Sequence, residues 1–162
     1  MRKIKSFNVI RLIIAILICQ MIGLIGAVFT SSSVSTWYVT LTKPSFNPPN
    51  WVFAPVWTTL YIMMGISAFL VWEKGLEDQK VKTSLSIFGI QLILNLSWTI
   101  IFFGLKSTMG GLVVIIILWF LILLTILHFY KLSKVAGIIL LPYIMWVSFA
   151  TVLNTAIVIL NH

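Results

Sequence analysis

Five long runs of Leu, Ile, Val and Phe, each free of charged residues over most of its length, decide what this chain can become. A hydrocarbon core about 30 Å thick takes about 20 residues of α-helix to cross. The runs near 9–30, 52–73, 83–104, 108–130 and 134–160 all reach that length. Backbone N–H and C=O groups in lipid must be satisfied within the protein, so runs this long without period-two alternation become helices and not barrel strands. Of the 162 residues, 60% are hydrophobic and only 9% are charged, too little polar surface for a soluble domain of this size. The expectation is an all-α integral membrane protein, a single domain over 1–162 built as a bundle of five transmembrane helices.

The eleven Lys and Arg stand singly or in small groups between the apolar runs. They form no basic face, so nucleic acid is excluded as a partner and the lipid bilayer takes its place. Their distribution predicts orientation. Arg2, Lys3, Lys5, Arg11, Lys74, Lys80, Lys82, Lys131 and Lys134 fall on one side, and Lys43 and Lys106 on the other, which places the N-terminus in the cytoplasm and the first loop outside. The first apolar run is about twice the length of a signal-peptide core and lacks a small-x-small cleavage site, so it is expected to span. Cys19 is the single cysteine, which rules out an intramolecular disulfide.

The longest connection, 31–51, leads through KPSFNPPNWVFAPVWTTLY, Lys43 to Tyr61, with four of the five prolines and two tryptophans. Pro44, Pro48 and Pro49 fix φ and stiffen the loop, and Asn50 is placed to cap the second helix. Such a loop is expected to act as a lid.

Glu73, Glu77 and Asp78 are the only acids and all lie between the second and third spans. Without carboxylates or lysines in the bilayer core, proton- or ion-coupled transport is disfavoured. The same shortage leaves no carboxylate pair, Ser-His-Asp triad or metal-ligand set, with His128 and His162 near helix ends. What the interior holds is neutral amides beside large aromatics. Gln91, Asn95 and Trp98, spaced i, i+4 and i+7, share one face of the third helix. Two uses of these amides stay open, hydrogen bonds that lock the bundle and groups that orient a ligand. Tyr143, Trp146, Ala150 and Asn154 fall near one stripe of the fifth span, where Pro142 predicts a kink. Trp37, Trp72 and Trp119 suit interface anchoring, whereas Trp57, Trp98 and Trp146 lie deeper. Ala15, Cys19, Gly23 and Ala27 form a small-residue ridge on the first helix, fit for a neighbouring helix inside the chain or in a second copy. A homodimer is expected.

Three stretches in order, WYVTLTKPSFNPPNWVFAPVWTTLY, IQLILNLSWTIIFFG and LLPYIMWVSFATVLN, make the chain similar, end to end, to the translocator protein family. Its members are also called peripheral benzodiazepine receptors and, in bacteria, tryptophan-rich sensory proteins. The resemblance implies five membrane helices, commonly a dimer, and a pocket under the first loop for protoporphyrin IX and other flat lipophilic molecules, cholesterol and benzodiazepine- or isoquinoline-type drugs included. By motif it implies a ligand site of Trp51, Phe53, Trp57, Tyr61, Gln91, Asn95, Trp98, Trp146, Ala150 and Leu153. Thr155 and Ile159 stand where animal members carry the Tyr and Arg of a cholesterol motif, which argues against that subsite here. Three functions follow. The first is a receptor or carrier for tetrapyrroles, and the second an enzyme of light-dependent porphyrin breakdown using Trp57, Trp146 and Trp51. In both the porphyrin is ligand or substrate and no separate cofactor is required. The third is an interaction module assembled through the small-residue ridge.

Overall fold

The computed structural model describes residues 8–162. Arg2, Lys3 and Lys5, on which part of the orientation argument rests, lie outside the described residues. Among those described, every regular element is helical: α1 Val9–Val34, α2 Phe53–Trp72, α3 Gln79–Thr99, α4 Thr108–Leu132, α5 Lys134–Ile139 and α6 Leu141–Leu160. Five spans result, because α5 and α6 together form the last one. Side chains mark the starts: Asn8 Oδ1 accepts from Arg11 N, Asp78 Oδ1 from Lys80 N, and Ser107 Oγ from Gly110 N. Each satisfies one of the donors a helix N-terminus leaves open. α2 departs from the expected cap. Asn50 opens a 3-10 turn, Asn50–Val52, and no side chain caps α2, because the tighter turn already bonds Val52 N to Pro49 O at 3.0 Å.

The last span breaks where Pro142 predicts a kink. Pro142 has no N–H to give the carbonyl four residues back, so α5 ends at Ile139 and α6 restarts at Leu141 with the proline in its first turn. A second irregularity follows α3, where Ile100–Gly104 widen into a π-turn closed by Leu105 N to Ile100 O at 2.8 Å. The widened turn frees the Phe103 carbonyl, and Ser33 Oγ of α1 donates to it at 2.6 Å.

The helices form a ring. α1 packs on α2 and α3, α3 on α4, α4 on α5 and α6, and α5 closes back on α2. Described cations and acids gather at one end of it: Arg11, Lys74, Lys80, Lys82, Lys131 and Lys134 with Glu73, Glu77 and Asp78. Arg11 Nη1 meets Glu73 Oε1 at 3.0 Å and its guanidinium lies 5.5 Å from the Trp72 ring centre, pinning α1 to α2 at this end. Lys43, Lys106 and the proline-rich connection occupy the other, loop end.

Close approach of α1 and α2 depends on glycine. A Cβ on Gly65 would lie 2.5 Å from Ile16 Cα, and one on Gly23 would lie 2.6 Å from the Tyr61 ring. Three of the four ridge residues pack within the chain, Ala15 and Cys19 being buried and Gly23 receiving Tyr61, while Ala27 is exposed. For those three the neighbouring helix is an internal one. The outward faces of all spans are apolar, with Ile10, Leu17, Ile93, Phe120 and Met145 among the exposed side chains, as a bilayer solvent allows.

Candidate functional site

The ring is filled at its charged end and hollow at its loop end. Toward the charged end, Met64, Ser67, Val71, Val81, Ile122 and Phe129 are fully buried, and Ser67 Oγ donates to Ala136 O at 2.8 Å. Midway, a ladder of polar groups crosses the bundle. Tyr61 Oη donates to Asn95 Oδ1 at 2.5 Å, Asn95 Nδ2 to Tyr143 Oη at 3.0 Å, and Tyr143 Oη to Gln91 Oε1 at 2.8 Å. Gln91 Nε2 ends the ladder against Met64 Sδ at 4.0 Å. Each of these groups has a partner, which is the condition for burying them in a low-dielectric interior.

Above the ladder α1, α2, α3, the π-turn and α6 surround a cavity of about 410 Å³, within the size range of small-molecule sites. Its floor is Trp57 stacked on Tyr61, ring centres 5.7 Å apart, with Tyr143 edge-on to Trp57 at 6.4 Å. One wall runs from Trp98, 6.3 Å from Trp57, to Phe102, stacked on it at 5.6 Å. The opposite wall is Trp146, set edge-on to Phe53 at 6.1 Å. Trp98 Nε1 donates to Asn154 Oδ1 at 3.3 Å and Asn154 Nδ2 to Thr108 O at 2.9 Å, so this indole is held from behind. Trp146 Nε1 is buried and has no hydrogen-bond partner.

The connection between α1 and α2 covers the loop end. Tyr38 is buried, packs on Phe102 and Phe103, and donates from Oη to Asn47 Oδ1 at 2.7 Å. Burial pushes this phenol up to about 12, which keeps it a donor at neutral pH. Lys43 Nζ donates to the carbonyls of Tyr38 and Leu41, and sits 4.9 Å from the Tyr38 ring centre. Phe46 rests edge-on against Phe149 of α6. At the end of α6 the Asn161 amide grips Thr42, accepting from its N–H and donating to its carbonyl, both at 2.9 Å.

Of the expected site residues, Phe53, Trp57, Tyr61, Trp98, Trp146, Ala150 and Leu153 line the cavity together. Trp51, Gln91 and Asn95 do not. Trp51 is 74% exposed on the 3-10 turn, because that turn rotates it off the face that Phe53 and Trp57 share. Gln91 and Asn95 are 0% and 1% exposed, beneath the floor, with their amides committed to tyrosines. Between the two uses left open for these amides, the bundle-locking one is what the geometry displays. Trp119 also departs from its expected interfacial place. It lies midway along α4 and donates to Ser148 Oγ of α6 at 2.7 Å.

Sequence reasoning missed Tyr38, Phe102, Phe103, Asn154 and Ile157 in the lining. The pair FF before Gly104 is visible in the sequence, but the π-turn that swings both rings inward is not. Asn154 stood on the right stripe without being assigned to the site.

Five membrane helices around an aromatic cavity define an integral membrane protein with a small-molecule-sized chamber set within the bilayer. The sequence profile of the TspO/MBR family matches residues 15–160, and the chain belongs to that family. It is 46% identical over 154 residues to the tryptophan-rich protein TspO of Chlorobaculum tepidum, covering 95% of this chain and 98% of that one. To the translocator protein of Homo sapiens it is 37% identical over 139 residues, 85% of this chain and 82% of that one. To the tryptophan-rich sensory protein of Cereibacter sphaeroides it is 37% identical over 125 residues, 77% of each.

Proposed function

We propose that this protein is a membrane receptor or carrier for flat lipophilic ligands, chiefly tetrapyrroles such as protoporphyrin IX. The observation that carries the proposal is a chamber of about 410 Å³ whose lining includes the rings of Phe53, Trp57, Trp98, Phe102 and Trp146. Ring faces of this kind give a planar lipophilic ligand a large area to stack on. The first loop then serves as the lid, and the porphyrin needs no second cofactor. By the charge asymmetry, the charged end lies in the cytoplasm and the cavity opens toward the outer half of the bilayer.

Titration of protoporphyrin IX into the protein in lipid nanodiscs, followed by quenching of tryptophan fluorescence, tests this. Saturable quenching is expected, and Ala150→Leu, which fills the space beside Trp146, is expected to weaken binding about tenfold or more. Non-saturable quenching, identical in both proteins, refutes the proposal.

A second reading, light-dependent breakdown of the bound porphyrin, is favoured by one feature. Trp57 begins an unbroken series of rings through Trp98 and Phe102 to Trp37, with successive centres no more than 6.3 Å apart. In this reading Trp57 and Trp146 belong to the cavity lining and Trp51 stands exposed on the 3-10 turn beside it. Illumination of the complex separates the two, since a binder gives the same products in Trp57→Phe and Trp146→Phe as in the wild type.

A further inference from the structure

The cavity is covered where the loop lies and open along its side, between α1 and α2. At the loop end an entering molecule meets the paired Asn161–Thr42 hydrogen bonds, the Tyr38–Asn47 bond, the Lys43 contacts and the Phe46–Phe149 pair. Several must break together before the loop lifts. Along the side the situation differs: the exposed residues of the lining lie on α1 and its C-terminal cap, and on the 3-10 turn and first turns of α2, where Asn50 and Ser35 mark the loop-end limit of the opening. Leu24, Ala27 and Ser31 stand on the α1 edge, Ala54 and Thr58 on the α2 edge. Apart from Leu24 these are small side chains.

The opening has a definite base. Below it α1 and α2 touch, with Gly23 against the Tyr61 ring, and Gln20 Nε2 of α1 donates to the Thr58 carbonyl of α2 at 3.0 Å. Gln20 and Thr58 lie well inside the spans Val9–Val34 and Asn50–Trp72, so the base of the opening falls on lengths of helix apolar and long enough to cross a bilayer. On the other sides the lining residues contributed by α3, the π-turn and α6 are buried or half-buried. Ser33 and the Phe103 carbonyl tie α1 to the π-turn there.

We infer that ligands enter and leave sideways from the bilayer, through a window between the loop-end halves of α1 and α2 whose sill is the Gln20–Thr58 hydrogen bond. The inference rests on the ligand-binding reading above and names its substrate class, planar molecules already dissolved in the membrane. Access then depends on ligand concentration in the lipid, and the loop holds the cavity roof without gating entry.

Stopped-flow tryptophan quenching by protoporphyrin IX in liposomes tests it in two ways. With wild-type protein in liposomes of two lipid compositions that take up porphyrin to different extents, compared at one aqueous porphyrin concentration, association is expected to scale with the porphyrin mole fraction in the bilayer. With Ala27→Phe and Ala54→Phe, which narrow the window from either edge, dissociation is expected to slow by about tenfold, whatever change in Kd their place in the lining brings. Asn161→Ala, which frees the loop, is expected to leave both rates within about twofold of wild type. Association that follows the aqueous porphyrin concentration, or that accelerates in Asn161→Ala, overturns the lateral route. A higher Kd in the Phe variants without slower dissociation does so too, since it makes these residues lining alone. Absence of saturable binding by the wild type refutes the receptor reading itself and is told apart by its missing plateau.

Discussion

The two halves of this bundle use nearly the same side chains to opposite ends. In the middle and toward the charged end, amides meet tyrosines and sulfur, and Gln91, Asn95, Tyr143 and Met64 leave no space between α2, α3 and α6. Toward the loop end, an amide again meets an aromatic, Asn154 with Trp98, but a chamber remains. A tyrosine hydroxyl both donates and accepts, so it continues a ladder; an indole only donates, so it ends one. The difference teaches that polar residues inside a membrane protein need not mark the ligand. Here the amides bonded to tyrosines mark the solid half, and the amide bonded to an indole stands in the wall of the hollow one.

This contrast gives graded predictions. The largest effect is expected for Gly65→Val, where new methyl groups meet the Ile16 backbone and force α1 from α2; overpacking of this kind costs about 3 kcal/mol. Reversible unfolding in detergent should register that loss, and an unchanged midpoint would show that the charged end is not close-packed. Asn95→Leu comes next. It strands the Tyr61 hydroxyl and removes a donor from Tyr143, for about 2 kcal/mol. Adding Tyr61→Phe should recover part of it in a double-mutant cycle; simple additivity would dissolve the ladder as a unit.

Effects at the loop end should be smaller in stability and larger in binding. Ser33→Ala leaves the Phe103 carbonyl without its hydroxyl, at about 1 kcal/mol, and amide exchange at residues 103–105 should quicken while the charged end is unaffected. Trp146→Phe removes a donor that has no partner, so stability should stay within about 0.5 kcal/mol of wild type. Protoporphyrin affinity should nevertheless fall about three- to tenfold through the lost ring area in the cavity wall. A strongly destabilised Trp146→Phe would mean that the indole N–H is already satisfied, and the contrast between halves would be lost.

Much of this was legible in order of residues. Run length identified five spans, and Pro142 announced a break that occurs between Ile139 and Leu141. The i, i+4 spacing of Trp57 and Tyr61 put both rings on one face, where they stack. Asn50 and Trp51 misled for a common reason: helical spacing extended back through them assumes α geometry, and the chain makes a 3-10 turn instead. Gln91 and Asn95 misled for another. Their face was correctly aligned with Trp98, but an amide's partner is chosen by whatever another helix presents at the same depth, and nothing local announces that Tyr61 and Tyr143 arrive there first.

By itself, then, the sequence determined the solvent, the number of crossings and the helical state of each. Those depend on hydrophobicity summed over some 20 consecutive residues, a property of neighbours along the chain. Where the bundle is solid and where it is hollow was decided only in three dimensions. That outcome turns on glycines that let α1 lie against α2, on a π-turn held by a serine from another helix, and on which hydroxyl reaches which amide. Each is a contact between residues far apart in the chain, and its energy does not exist until the helices have packed.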